Sequence, residues 1–291
     1  MSVSCNQRLR EILQRREAIL LPGAANALAA RVIEDTGFKA IYVTGAGVAN
    51  TFLGMPDIGL LSLTELAGNV SAIRDAAALP LIVDADTGFG NAVNVARTIR
   101  VLERSGANAV QLEDQVFPKR CGHFAGKSVI SRAEMVQKIH AAVDSRNDPA
   151  LVIIARTDAI ATNGFEDAIE RAASYIEAGA DVTFVEAPRS QEQIAAIPKR
   201  LPVPQVINIV AGGLTPMIGF EALEKMGFSL ILYANAALQA SIAGMQKVLG
   251  HLMEHGSLDG VSAFLAEFEE RQRLVSKPHF DGLERKYSWP E

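Results

Sequence analysis

The chain has 291 residues, 49% hydrophobic and 21% charged, with 23 Gly, 12 Pro and a formal net charge of −5, the composition of a globular protein with a large core and not of a disordered or fibrous one. The acidic balance, with no strongly basic stretch, excludes a nucleic-acid scaffold and disfavours binding to a membrane surface. No stretch of about 18 uncharged apolar residues could span a bilayer, the N-terminal MSVSCNQRLREILQRREAILL lacks the apolar core of a signal peptide, and Cys5 and Cys121 as the only cysteines point to a reducing, cytoplasmic location.

Short β-branched apolar runs recur along the chain: AILLPG (18–23), AIYVTG (40–45), LPLIVDAD (79–86), NAVQLED (108–114), LVIIARTD (151–158), DVTFVEA (181–187), VPQVINI (203–209) and LILYAN (230–235). Between them lie segments with helical spacing, such as 94–106, 132–143 and 165–179, several of which end at Gly. Alternating strand and helix predicts parallel pairing, and continuous apolar strands suit a sheet covered by helices. The fold class predicted is α/β, a (β/α)8 TIM barrel forming one domain over 1–291. Helices at about 236–254 and 258–275 exceed what the barrel needs and are expected to cap it or reach a neighbouring subunit. The rival is an open dinucleotide-binding sheet, for which TGAGVAN (44–50) is a partial fingerprint. Asn50 stands at its third glycine position and no helix pattern follows promptly.

Polar residues crowd the C-terminal ends of these strands: Tyr42 and Thr44, Asp84 and Asp86, Glu113 and Asp114, Arg156 and Asp158, Glu186, Asn208, and Tyr233 with Asn235. In a barrel those ends converge on one mouth, where active sites of this architecture sit. A helix N-cap explains a single such residue, but not so many together. Asp84 and Asp86, two apart on a strand, point the same way. With Glu113 nearby they would repel unless a cation lay between them, which describes a Mg2+ site, or one for Mn2+. The alternative, Asp86 as a helix cap, leaves Asp84 and Glu113 unexplained. In Phe117-Pro118-Lys119-Arg120-Cys121-Gly122-His123, a Cys between a basic pair and a His sits in a field favouring thiolate. An inert thiol in a basic loop is an equal alternative from these residues alone. His251-Leu252-Met253-Glu254-His255 fits an H-x-x-E-H zinc pattern, but it ends a late helix and has no third ligand. It reads better as groups complementing a helix C-terminus.

Several stretches together resemble the isocitrate lyase/phosphoenolpyruvate mutase superfamily along nearly the whole chain: YVTGAGVAN (42–50), MPDIGLLSLTEL (55–66), DADTGFGNAVNVARTI (84–99), LEDQVFPKRCGH (112–123), IIARTDA (153–159) and EA (186–187). KRCGH (119–123) is the most specific and resembles the gating loop of the lyase branch, the 2-methylisocitrate lyase and 2,3-dimethylmalate lyase group. The resemblance implies a modified barrel, Mg2+ dependence, and a homotetramer whose C-terminal helices, about 236–275, are exchanged or packed between subunits. It assigns Asp84, Asp86 and Glu113 to the metal shell, partly through water, and Cys121 to catalysis. Thr44, Gly45 and Ala46 match a cradle for a 2-oxo acid carboxylate. Arg156 and His123 match groups that bind substrate oxygens, with Tyr42, Asp57, Glu186 and Asn208 in support; Arg120, by its charge, joins His123 as a suitable partner for carbanion oxygens, and Gly122 between them is counted with the substrate-binding residues.

The implied reaction is retro-aldol cleavage of a 2-hydroxy di- or tricarboxylate to pyruvate or another 2-oxo acid plus a carboxylate. Two departures open the substrate question. Asn208-Ile209-Val210-Ala211-Gly212-Gly213 places Ala211 where the family generally has Glu, and Ala234-Asn235-Ala236 puts an amide where an apolar group is expected. Oxaloacetate hydrolysis or decarboxylation, or phosphonopyruvate-type chemistry, is therefore the near alternative. A noncatalytic carboxylate-binding subunit is the distant one, and it has no need of the cysteine.

Overall fold

The computed structural model describes residues 4–120, 126–210 and 212–289. Eight parallel strands close into a barrel in sequence order: β1 (Ile19–Ala24), β2 (Ile41–Val43), β3 (Leu81–Asp84), β4 (Ala109–Glu113), β5 (Val152–Thr157), β6 (Val182–Val185), β7 (Gln205–Asn208) and β8 (Leu230–Tyr233), with β1 pairing back onto β8. Closure removes every sheet edge, and the open dinucleotide-binding sheet is thereby excluded.

The helices are α1 (Cys5–Arg15), α2 (Ala27–Asp35), α3 (Gly45–Val48), α4 (Leu63–Ala76), α5 (Ala92–Arg104), α6 (Arg132–Ser145), α7 (Phe165–Glu177), α8 (Gln191–Arg200), α9 (Phe220–Met226), α10 (Ala236–His255), α11 (Phe268–Leu274) and α12 (Lys277–Tyr287). Their starts are written in the sequence. Ser62 and Glu65 form a reciprocal capping box on α4, as do Asn91 and Asn94 on α5, while Ser131 and Ser190 cap α6 and α8; each such cap contributes about 1 kcal/mol.

The core has two shells. Inside the barrel, Ile19, Leu21, Ile82, Val152, Ile154, Val206 and Leu230 pack together, and Leu9 and Leu13, one turn apart on α1, plug the N-terminal end. Arg10 fixes that plug by pairing with Asp181 at 2.6 Å and donating to the carbonyls of Pro149, Ala150 and Leu151. Outside the barrel, Val43, Leu81, Val83, Val110 and Ile153 pack against Ile33, Ile73, Ile99 and Ile139 of the surrounding helices. The opposite, C-terminal end is left for polar chemistry.

Two expectations need correction. β2 stops at Val43 instead of running to 45, because the Thr44 hydroxyl accepts from Gly47 N at 3.3 Å and starts α3 at once. The Gly-Ala run has no apolar periodicity to announce that helix. The expected helix over 258–275 is broken into a turn at Ser262–Phe264 and α11, and α12 follows where no helix was anticipated. Ser276 in the left-handed region, with Pro278 in the first turn, separates those last two helices.

Glycine is indispensable at position 23, on β1. A Cβ there would lie 1.9 Å from the Ala234 carbonyl oxygen, backbone that cannot swing aside. Gly23→Ala is therefore expected to destabilise the barrel by about 2–3 kcal/mol, read as a lower urea midpoint; an unchanged midpoint would refute this account of the β1–β8 closure.

Candidate active site

Strand register brings the polar residues together. Gln111 lies beside Asp84 across β3 and β4, Glu113 beside Arg156 across β4 and β5, and Arg156 beside Phe184 across β5 and β6. All of these face the C-terminal mouth, where a small pocket is lined by Tyr42, Thr44, Ala46, Asp57, Asp84 and Lys119 on one side. Arg156, Phe184, Glu186, Asn208, Leu232, Ala234 and Asn235 line the other.

Asp84 is held on three sides: Oδ1 accepts from Asp86 N at 3.3 Å and Gln111 Nε2 at 3.2 Å, and Oδ2 accepts from Gly45 N at 3.4 Å. Asp86 adopts the left-handed backbone conformation, φ 48°, which turns the chain out of β3; Asp tolerates this because it is short and polar. Lys119 is buried between acids, its ammonium 2.7 Å from Asp86 Oδ1 and also bonded to Asp57. Burial, with the neighbouring Asp84 and Asp57 charges, pushes the Asp86 carboxyl up, Lys119 opposes this, and the balance is about 6. Glu113 is likewise pushed well above the usual carboxylate range by burial, against the pull of Arg156 at 3.4 Å. Burial also raises the Tyr42 phenol, reinforced by Asp84, so Tyr42 stays a hydrogen-bond donor.

Arg156 is the electrostatic centre of the other half. Its guanidinium lies 5.2 Å from the centroid of the Phe184 ring, and its Nη2 is 3.5 Å from Glu186 Oε2. Its strongest partner is Asp158, which accepts from Nε at 2.9 Å and from Nη2 at 3.1 Å. Lys127 Nζ reaches the same carboxylate at 2.8 Å. Burial would raise the Asp158 carboxyl, but Arg156 and Lys127 outweigh it and hold the group at about 2.

These residues suit a hard divalent cation. The Glu113 Oε1 atom is buried and accepts no hydrogen bond among the described residues. A Cβ at Gly45 would come within 3.2 Å of Asp84 Oδ2 and 3.3 Å of Asp86 Oδ1, so glycine keeps space over both carboxylates. All the donors are carboxylate oxygens, the chemistry of Mg2+ or Mn2+. Among the described residues no three such side chains close into a direct ligand group. Asp84, Asp86 and Glu113 are the residues that could hold such an ion, with water completing the shell that Mg2+ prefers.

The structure thus gathers Tyr42, Thr44, Ala46, Asp57, Asp84, Arg156, Glu186, Asn208 and Asn235 around one pocket, with Gly45, Asp86 and Glu113 against it. Arg120 is exposed and does not line the pocket; its backbone is clasped by the Gln115 amide at 2.9 and 2.8 Å. Cys121, Gly122, His123 and Ala211 lie outside the described residues. His251 and His255 stack at 4.2 Å on α10, away from the mouth.

Sequence reasoning did not single out Lys119, Lys127, Gln111 and Asp158 as site residues. Asp158 was within reach, since it stands two residues from Arg156 on one strand end. Lys127 follows the KRCGH run with no pattern to mark it.

An eight-stranded parallel barrel whose C-terminal mouth gathers carboxylates and an arginine has the architecture of a barrel enzyme. Over residues 9–253 the chain matches the family described as Phosphoenolpyruvate phosphomutase. It is 41% identical to the 2,3-dimethylmalate lyase of Eubacterium barkeri, covering 97% of each chain. It is 45% identical to the 2-methylisocitrate lyase of Aeropyrum pernix, over 86% of this chain and 80% of that one. Among solved structures, oxaloacetate acetylhydrolase in complex with the inhibitor 3,3-difluorooxalacetate superposes with a TM-score of 0.92 at 36% identity, covering 97% of each chain. The chain belongs to the phosphoenolpyruvate phosphomutase/isocitrate lyase superfamily, and it is an enzyme of the lyase kind.

The depressed Asp158 carboxyl has a consequence for stability. Its folded-state value of about 2 lies below the ordinary 3.8. The group therefore contributes stability that is fully present above about pH 4 and lost as pH falls towards 2, on the order of 2 kcal/mol. Asp158→Asn should flatten urea-unfolding stability across that window by a similar amount; an unaltered pH slope would contradict the assignment.

Proposed function

We propose that this chain is a Mg2+-dependent carbon–carbon lyase that cleaves a 2-hydroxy di- or tricarboxylate, of the 2,3-dimethylmalate or 2-methylisocitrate type, to pyruvate or another 2-oxo acid plus a second carboxylate. The observation that carries this reading is the pairing, in one mouth, of the Asp84, Asp86 and Glu113 acids with the Arg156 cation across strands β4 and β5. One half suits a divalent ion, and the other a substrate carboxylate. The likeness to two curated lyases supports it.

Bound by Asp84, Asp86 and Glu113, Mg2+ would polarise the substrate's hydroxyl and carboxylate oxygens and lower the hydroxyl pKa. Thr44, Gly45 and Ala46 would receive the carboxylate of the 2-oxo acid portion, and the protonated Tyr42 phenol would donate to its oxygens. The hydroxyl proton leaves for a carboxylate of the pocket, Glu186, since Asp57, the other lining acid without a metal assignment, is bonded to Lys119. The C2–C3 bond then breaks: C2 becomes the carbonyl of the oxo acid, and the electron pair passes to C3, forming the enediolate of the departing carboxylate. Arg156, with His123 from the neighbouring connection, would stabilise the enediolate oxygens; Arg120, exposed outside the pocket, would reach them only by turning inwards. Cys121 would return a proton from Sγ to C3, completing the balance.

Oxaloacetate cleavage is the second reading, favoured by two observations. The chain superposes closely on an oxaloacetate acetylhydrolase. The Oδ1 atoms of Asn208 and Asn235 are also buried at the pocket with no hydrogen bond among the described residues, a polar lining where a methyl-bearing substrate would want none.

The assembly proposed is a homotetramer with α10 and the helices after it packed between subunits. α10 buries none of its residues within the chain, and it exposes Ile242, Met245, Leu249 and Leu252 at helix-face spacing. Leu249→Glu should lower the mass measured by light scattering; an unchanged mass would remove α10 from the interface.

Purified protein with Mg2+ should release pyruvate from 2,3-dimethylmalate or 2-methylisocitrate in an NADH-coupled assay, and chelation should abolish turnover reversibly. Release of oxalate and acetate from oxaloacetate alone would transfer the assignment to the second reading. Cys121→Ser should abolish turnover while Mg2+ affinity stays within about threefold, whereas Glu113→Gln should weaken Mg2+ binding by about tenfold or more.

A further inference from the structure

We propose that Asp158 is a positioning residue that aims Arg156 into the pocket and, through Lys127, docks the chain returning from the 117–130 connection onto the barrel mouth. The catalytic half of this inference rests on the lyase reading, and the docking half does not.

Asp158 is 1% exposed and immediately follows β5. It is anchored from behind: its N–H donates to Asp114 Oδ1 at 2.9 Å. Asp114, itself fully buried, accepts from Thr157 Oγ1 at 2.8 Å and from the Tyr175 hydroxyl at 2.8 Å, and it pairs with Arg171 at 3.3 Å. Four donors from β5, its end and α7 thus converge on one carboxylate whose only evident work is to hold the peptide that carries Asp158.

In front, Asp158 offers both oxygens. The Nε and Nη2 atoms of Arg156 engage them as a fork, which fixes the plane of the guanidinium as well as its distance. Glu113 at 3.4 Å and Glu186 at 3.5 Å compete for the same guanidinium. Without the negative charge on Asp158, Arg156 would turn towards those two acids. The remaining nitrogen, Nη1, makes no hydrogen bond to a described residue, and Arg156 lines the pocket. The fork therefore leaves one donor edge of the arginine for an anionic substrate.

The Oδ1 that takes Arg156 Nη2 also takes Lys127 Nζ at 2.8 Å, with the Lys127 and Asp158 side chains only 2% and 0% exposed. A lysine buried to that degree needs its counter-charge. One carboxylate thus joins the segment at Lys127 to the arginine that the substrate would meet. Backbone pairing of Val116 with Ser128 and of Ile130 with Asp114 fixes the same segment at its base.

The test uses Asp158→Asn, nearly isosteric but uncharged, with Lys127→Met as a variant that spares the Arg156 fork. Asp158→Asn should lower kcat on the order of 100-fold with KM within about threefold, because the interaction lost matters most as charge develops on the departing carboxylate. Lys127→Met should lower kcat less, and the double variant should fall short of the product of the two, since both act through one carboxylate. Asp158→Glu, with its longer reach, should restore less than a tenth of the wild-type kcat.

Docking is read separately as the rate of trypsin cleavage after Lys127, resolved by mass spectrometry. In Asp158→Asn that rate should rise at least about fivefold, with cleavage after Arg146 unchanged. A kcat for Asp158→Asn within threefold of wild type, or additive single variants, would overturn the positioning role, and unchanged cleavage after Lys127 would overturn the docking. Should the wild type turn over no acid on the panel, the lyase reading falls, and the cleavage rate still decides whether Asp158 holds Lys127.

Discussion

Among the described residues, the mouth of this barrel buries more carboxylates than cations. Asp84, Asp86, Glu113, Asp158 and Glu186 are all nearly inaccessible to water, with Asp57 at their edge, against Lys119, Lys127 and Arg156. Taking an ionised carboxylate out of water costs several kcal/mol unless a partner compensates, and the unequal partnering here separates the acids by role. Asp158 has two cations and is held strongly ionised. Glu113 has the edge of Arg156 at 3.4 Å and the more remote charge of Lys119, and burial still pushes it towards the neutral form. A divalent cation among Asp84, Asp86 and Glu113 would reverse that push, so the side of the mouth with least compensation is the side best suited to a metal.

That imbalance depends on the barrel. Because all strands are parallel, every C-terminal end opens on one face, and the cross-strand pairs Asp84 with Gln111 and Glu113 with Arg156 follow directly from the register. Closure of β1 against β8, which needs the bare backbone of Gly23, brings the end of β8 with Ala234 and Asn235 round to the β2 side of the pocket. A sheet one strand short of closure could bury the same residues without making them meet. The charge cluster and the topology are therefore one constraint: the apolar staves inside and outside the barrel supply the stability that burying these acids consumes.

The eight strands and the convergence of acids at their ends were legible in the sequence because each strand is an apolar run and every one after β1 stops at or close to a polar residue. The limits of such legibility are equally physical. α3 escaped because Gly45–Val48 forms a helix through the Thr44 cap and not through apolar periodicity. The last helices were misjudged because their apolar residues, among them Phe268 and Phe280, are exposed in the chain and cover no core that could impose a period. Lys119 and Lys127 stand in a connection whose path no local pattern sets, and only the folded mouth shows that each lysine finishes against an acid from another part of the chain: Asp57 and Asp86 for one, Asp158 for the other.

The pocket's two halves differ in how much freedom they retain. Asp84 is held by three donors and Arg156 by a forked acid, so the groups meeting the common part of any substrate are fixed in place. The Oδ1 atoms of Asn208 and Asn235 accept no hydrogen bond among the described residues, and they stand beside Leu232, Ala234 and Phe184. Buried amides without partners lose little by meeting a polar substituent and much by meeting a methyl group, since the latter leaves them desolvated and unpaired. The fixed half would therefore set the reaction and the unsatisfied half would select among acids that share it, which places the choice of substrate on β7 and the start of α10, away from the acid cluster.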